Sequence, residues 1–161
     1  MLLKTKSKQI QSLIMKKTIL FFIICFSFLN HLNAQTAPIF NLYKGTVDAK
    51  IPVTFYIKTE ENPCTADLMY TAMYRYDKSG SWIQLNITQN VKIENQFVFV
   101  EHGFSGVMIL KKTGNTFTGL WISPDTKKQL KIDVKEASMT KKEVEKYEKA
   151  LEKVNYENND C

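Results

Sequence analysis

Between residues 41 and 135, apolar side chains recur at every second position in short runs broken by polar turns, which is the period of half-buried β-strands. The sharpest case is 82–88, where Ile83, Leu85 and Ile87 alternate with Gln84, Asn86 and Thr88. Residues 51–58 set Val53, Phe55 and Ile57 against Thr54, Tyr56 and Lys58, and Pro52 confines the start of that run to a strand end or edge. Before it, 41–47 carries Leu42, Tyr43 and Val47. After a polar loop at 59–67, residues 68–77 place Tyr70, Ala72, Tyr74 and Tyr76 on one face and Met69, Thr71, Met73 and Arg75 on the other. Asp77-Lys78-Ser79-Gly80 has the chemistry of a type I turn closed by a left-handed glycine, so the 82–88 strand folds back antiparallel. The pattern is weakest at 89–96, which reads as a short strand at 91–93 and a turn around Glu94-Asn95. Residues 97–101 are apolar on both faces, His102-Gly103 turns the chain, and 129–135 alternates Leu130, Ile132 and Val134 with Lys131, Asp133 and Lys135.

The middle of this series is a hairpin over 104–123. Gly114-Asn115 suits a type II′ turn, in which glycine supplies the positive φ at the first central position. A two-residue turn pairs positions symmetrically, so Thr113 faces Thr116, Lys112 faces Phe117, Leu110 faces Gly119 and Met108 faces Trp121. One face then holds Phe104, Gly106, Met108, Leu110, Phe117, Gly119 and Trp121; the other holds Val107, Ile109, Leu120 and Ile122. With both faces apolar, the hairpin calls for two covers, one from the sheet curling on itself and one from another element. Phe104-Ser105-Gly106 and Phe117-Thr118-Gly119 place a glycine near an aromatic on each strand, as sharp curvature needs. About eight strands in sequence order predict an all-β, antiparallel up-and-down barrel over residues 35–136, with the last strand pairing the first and no edges left.

The period changes at Met139. Thr140 and Glu143 have the spacing of a capping box, and Val144, Tyr147, Leu151 and Val154 recur at three- and four-residue steps, predicting one amphipathic helix within 137–161. At roughly four turns such a helix needs an apolar surface to lie on. Val107, Ile109, Leu120 and Ile122 are the expected surface, on the outside of the barrel. A membrane-surface helix is the rival reading, but the apolar stripe is narrow and the polar face balanced in charge.

Residues 1–34 read as a secretory leader: Lys16 and Lys17 precede an apolar run from 18 to 29, and a short polar stretch ends at Ala34, with Met15 a plausible start. Ile24 stands where lipid attachment to Cys25 wants a small residue. Export to the periplasm or the outside of the cell follows as an expectation, without a stable membrane span in the mature form. Because the leader holds five lysines and no acid, the formal charge falls from +6 to +1 on its removal. Attraction to nucleic acid therefore has no basis in the mature chain. The 127 residues that remain after 34 of the 161 are set aside suffice for one domain with its own core.

Cys64 and Cys161 survive in the mature chain, and in an oxidising compartment the pair is expected to form a disulfide; a frayed tail with an unpaired thiol is the alternative. No metal, cofactor or catalytic constellation is legible. His102 is the one histidine after the leader and has no His or Cys at ligand spacing, Ser105 lies in no nucleophile elbow, and no glycine loop is built for phosphate. Arg75 is the sole arginine, flanked by Tyr74 and Tyr76. Its guanidinium either receives a ligand carboxylate near the barrel mouth or covers a neighbouring ring on the outside. Tyr70, Tyr74, Met108 and Trp121 face inward and form, with Arg75, the expected ligand-binding set.

Tyr43-x-Gly45, Val53-Thr54-Phe55, Tyr74-x-Tyr76-Asp77, Ile83-x-Leu85, Phe99-Val100-Glu101 and Phe117-x-Gly119-x-Trp121 resemble the strand signatures of small exported bacterial meander proteins with lipocalin-like or avidin-like barrels. The Gly-x-Trp that typical lipocalins carry near the mature N-terminus is missing here. The resemblance implies binding rather than turnover. The expected function is thus non-enzymatic retention of a small hydrophobic or aromatic ligand inside the barrel. The alternative is an envelope protein–protein interaction module, an inhibitor or assembly factor, acting through loops such as 59–67 around Cys64.

Overall fold

A computed structural model of the chain describes residues 36–159. The expected leader and Cys161 lie outside the described residues. Eight strands follow one another: β1 (Ile39–Val47), β2 (Ile51–Glu61), β3 (Leu68–Tyr76), β4 (Ile83–Gln89), β5 (Gln96–Glu101), β6 (Val107–Thr113), β7 (Thr116–Ile122) and β8 (Gln129–Ala137). Each pairs antiparallel with the next, and β8 pairs with β1, so the sheet closes into a barrel with no free edge. A helix, α1 (Lys141–Asn159), completes the domain.

The hairpin register is the one its turn dictates. Thr113 pairs Thr116, Lys112 pairs Phe117, Leu110 pairs Gly119 and Met108 pairs Trp121, with Gly114 at φ 58°. A Cβ on Gly119 would run into the backbone carbonyl of Ile109, so the strands come together there as only glycine permits. The other half of the expected glycine echo differs. Phe104 and Gly106 precede β6 and belong to the turn after β5, where Phe104 is 58% exposed. Residues 90–95 likewise form a loop rather than carrying a short strand at 91–93.

Alternation sorts the side chains into two layers. Inward positions Tyr43, Phe55, Tyr74, Phe99, Met108, Leu110, Phe117 and Ile132 build the lumen core. On the outer wall Leu42, Tyr56 and Met73 stand side by side across β1, β2 and β3, and Tyr147, Leu151 and Val154 of α1 bury against them. Burial of each such side chain is worth roughly 1.5–3 kcal/mol. Polar contacts fix the helix in place: Tyr56 donates its hydroxyl to Glu148 (2.9 Å), and Gln84 on β4 donates its amide to Asn155 (2.9 Å). The capping box forms as expected, the Thr140 amide donating to Glu143 (2.8 Å) and the Glu143 amide to the Thr140 hydroxyl (3.3 Å).

The helix therefore covers the outside of the barrel, but not over the hairpin. Ile109 and Leu120 remain 42% and 37% exposed. The reason lies in the two outer rows. Leu42–Tyr56–Met73–Gln84 offers a tyrosine ring between two long apolar side chains and ends in a hydrogen-bonding amide, whereas Val98–Ile109–Leu120–Lys131 offers aliphatic groups ending in a charge.

Candidate functional site

The closed sheet has two ends, and they are built differently. One collects the start of β1, the loops after β2 and β4, the β6–β7 turn and the end of β8; the other collects the remaining turns. At the first end the lumen is hollow. A cavity of about 260 Å³ opens between Ile39 and Leu68, which stand 60% and 54% exposed at its mouth. Deeper in, Ile57, Ile87, Phe97, Phe99 and Phe117 form its wall. The rings meet edge to face, Phe97 and Phe99 each 5.5 Å from Phe117 between centroids, so the apolar wall is fixed by mutual packing.

Few polar groups reach this space. Asn41 donates its side-chain amide to Glu136 (2.8 Å), and Tyr70 donates its hydroxyl to Gln89 (2.9 Å). Thr59 contributes a hydroxyl to the lining. Tyr43, edge-on to Phe117 at 5.0 Å, has no hydrogen-bond partner for its hydroxyl among the described residues. Burial, and then the charge of Glu136, push the Tyr43 phenol up to about 12, so it stays a donor at physiological pH. Lys112 is the one charged residue in the cavity lining, with Nζ 5.7 Å from the Phe117 ring centre and no carboxylate within ion-pair distance among the described residues.

The opposite end is filled. Glu101, 3% exposed, accepts hydrogen bonds from the Tyr74 hydroxyl, the Trp121 indole N–H (2.6 Å) and the Ser105 hydroxyl (2.6 Å). Three donors from β3, β7 and the β5–β6 turn satisfy the carboxylate where it is shut off from water. Burial, then the bond to Glu101, hold the Tyr74 phenol far above its ordinary range. Glu101 does not pair with the exposed His102, and the Ser105 hydroxyl is committed to Glu101 rather than to any base. Among the described residues no three His, Cys, Asp or Glu side chains gather as metal ligands would.

The five residues read from the sequence as a ligand set are thus dispersed. Tyr70 lines the cavity; Tyr74 and Trp121 belong to the plugged end with Glu101, and Met108 is fully buried in the lumen core. Arg75 is on the outer wall, its guanidinium 4.7 Å over the Trp82 ring and its Nε 3.8 Å from Asp77, and Trp82 in turn meets Tyr147 of α1. That matches the ring-covering reading and takes Arg75 out of the lumen, because β3 alternation turns it away from Tyr74. Cys64 is exposed in the loop after β2. Lys112 and Tyr43 were missed as cavity residues, although the hairpin register already placed Lys112 on the Met108 and Leu110 face.

No helix among the described residues is long and apolar enough to cross a membrane. Compared with protein-family models, with curated proteins and with solved structures, the chain matches none.

Proposed function

We propose that the protein is an exported, non-enzymatic binder that holds a small hydrophobic or aromatic ligand in the open half of its barrel. The observation that carries this reading is the aromatic-walled cavity of about 260 Å³ with an apolar mouth. A dry cavity of about 150 Å³ accommodates benzene, so this one has room for roughly a two-ring aromatic or a short acyl chain, at the small end of ligand pockets. A mouth whose exposed residues include Ile39 and Leu68 suits entry of an apolar guest. A closed eight-strand meander is an architecture whose lumen can hold one small guest.

Calorimetric titration with neutral two-ring probes such as 2-naphthol tests the reading. Binding on the order of 10 µM is expected for a ligand of that size. Ile87→Trp, which fills the cavity from its wall, abolishes that binding while the far-ultraviolet spectrum is unchanged. Failure of two-ring probes, neutral and charged alike, to bind up to about 1 mM overturns it.

A further inference from the structure

The cavity has a polar corner as well as an apolar body, and the charge in its lining is positive. Among the described residues the Lys112 ammonium and the Tyr43 and Thr59 hydroxyls lack a protein partner there, and all three can donate a hydrogen bond. Lys112 and Tyr43 flank one ring: the Tyr43 ring lies edge-on to Phe117 at 5.0 Å between centroids, and Lys112 Nζ sits 5.7 Å from its centre. The other lining polar groups are occupied. The Tyr70 hydroxyl is spent on Gln89 and the Asn41 amide on Glu136. Lys112 is half-buried beside the apolar wall with no acceptor among the described residues, and a ligand in the cavity is in position to supply one.

From this juxtaposition, and resting on the lumen-binding reading above, we infer that the ligand is a small aromatic or short-chain acid, its carboxylate held by Lys112 and Tyr43 and its apolar body laid against Phe97, Phe99 and Phe117. The carboxylate then completes a charge-assisted pair near the mouth while the ring displaces water from the hollow half of the lumen. One group opposes it. Glu136, directly across from Tyr43 on β8, is exposed and engaged by Asn41, and its charge repels an incoming carboxylate. Its neutralisation strengthens acid binding, which distinguishes a carboxylate ligand from a cationic or neutral one.

Probes with the same ring body but a charged or a neutral polar group provide the test: 2-naphthoate and 2-naphthalenemethanol, titrated calorimetrically into the purified protein and into Lys112→Met and Glu136→Gln variants. In the unsubstituted protein naphthoate binds about tenfold tighter than the alcohol, the scale of one hydrogen-bonded charge pair near solvent. Lys112→Met weakens naphthoate until the preference is lost, and Glu136→Gln widens it by about two- to threefold. A circular dichroism melt that superimposes on the parent's accompanies each variant, since both positions lie at the barrel rim. Equal affinities for the two probes, or a preference that persists in Lys112→Met, overturn the acid assignment while leaving the lumen reading intact. Failure of both probes to bind overturns the two together.

Discussion

The two ends of the barrel use similar materials to opposite effect. At the plugged end a charged residue, Glu101, sits among aromatic side chains and receives three donors, leaving nothing for a ligand to complete. At the open end a charged residue, Lys112, also sits among aromatic side chains, but no protein acceptor answers it or Tyr43 among the described residues. Burial and an ionisable group do not by themselves mark a binding site; the two ends differ in whether the charge is answered by protein groups beside a cavity. The plugged end is closed by a hydrogen-bonded network, and the open end holds a cavity.

Substitutions that separate the ends should therefore differ in kind. Glu101→Ala takes the acceptor from the buried Tyr74 hydroxyl and the half-buried Trp121 indole N–H and is expected to lower unfolding free energy by about 2–4 kcal/mol in guanidinium titrations. A loss under about 1 kcal/mol would mean that the network is not holding this end together. Gly106→Ala follows in size. Its new Cβ would press on the Trp121 indole and come within 2.9 Å of the Glu101 carboxyl carbon, which predicts a loss of about 1–3 kcal/mol and a shifted Trp121 emission.

Alkaline titration compares the ends within one molecule. A phenol whose pKa is raised on folding stays protonated in the native state while the unfolded chain ionises near 10, so stability is fully present below pH 10 and falls as pH rises above it. Tyr43 at the open end loses its contribution between pH 10 and about 12, whereas Tyr74 at the plugged end ionises only when the barrel opens. Phenolate absorbance should accordingly show at least one tyrosine that titrates together with unfolding; smooth titration of all seven in the folded protein contradicts this. Leu68→Ser at the mouth is the smallest change, under about 0.5 kcal/mol, because that side chain is already 54% exposed. A loss above about 1.5 kcal/mol there would show the open end to be structural too.

Much of the fold could be read from the chain because period-2 alternation and turn chemistry are local signals. The strand order, the hairpin register about Gly114-Asn115 and the Thr140–Glu143 cap each depend on residues close in sequence. The seat of the helix depended on which outward residues become neighbours across strands, and the row Leu42–Tyr56–Met73 is drawn from three runs well separated in the chain. Tyr56 and Met73 were visible only as the second faces of strands whose inward faces were stronger. The site was less legible for the same reason. Parity told which residues point inward, but not how far along the barrel axis each lies. Tyr74, Met108 and Trp121 therefore read as equivalent to Tyr70, although they sit below the hollow part. Arg75 drew attention by its rarity, which is a property of composition and carries no direction.

The most direct test of the account is a nuclear magnetic resonance titration of the protein with 2-naphthoate, following side-chain and backbone signals. Shifts concentrated at Ile57, Ile87, Phe97, Phe117 and Lys112, with Glu101 and the Arg75–Trp82 pair unmoved, are the predicted result. Shifts confined to the plugged end or the outer wall, or none at saturating probe, would contradict it.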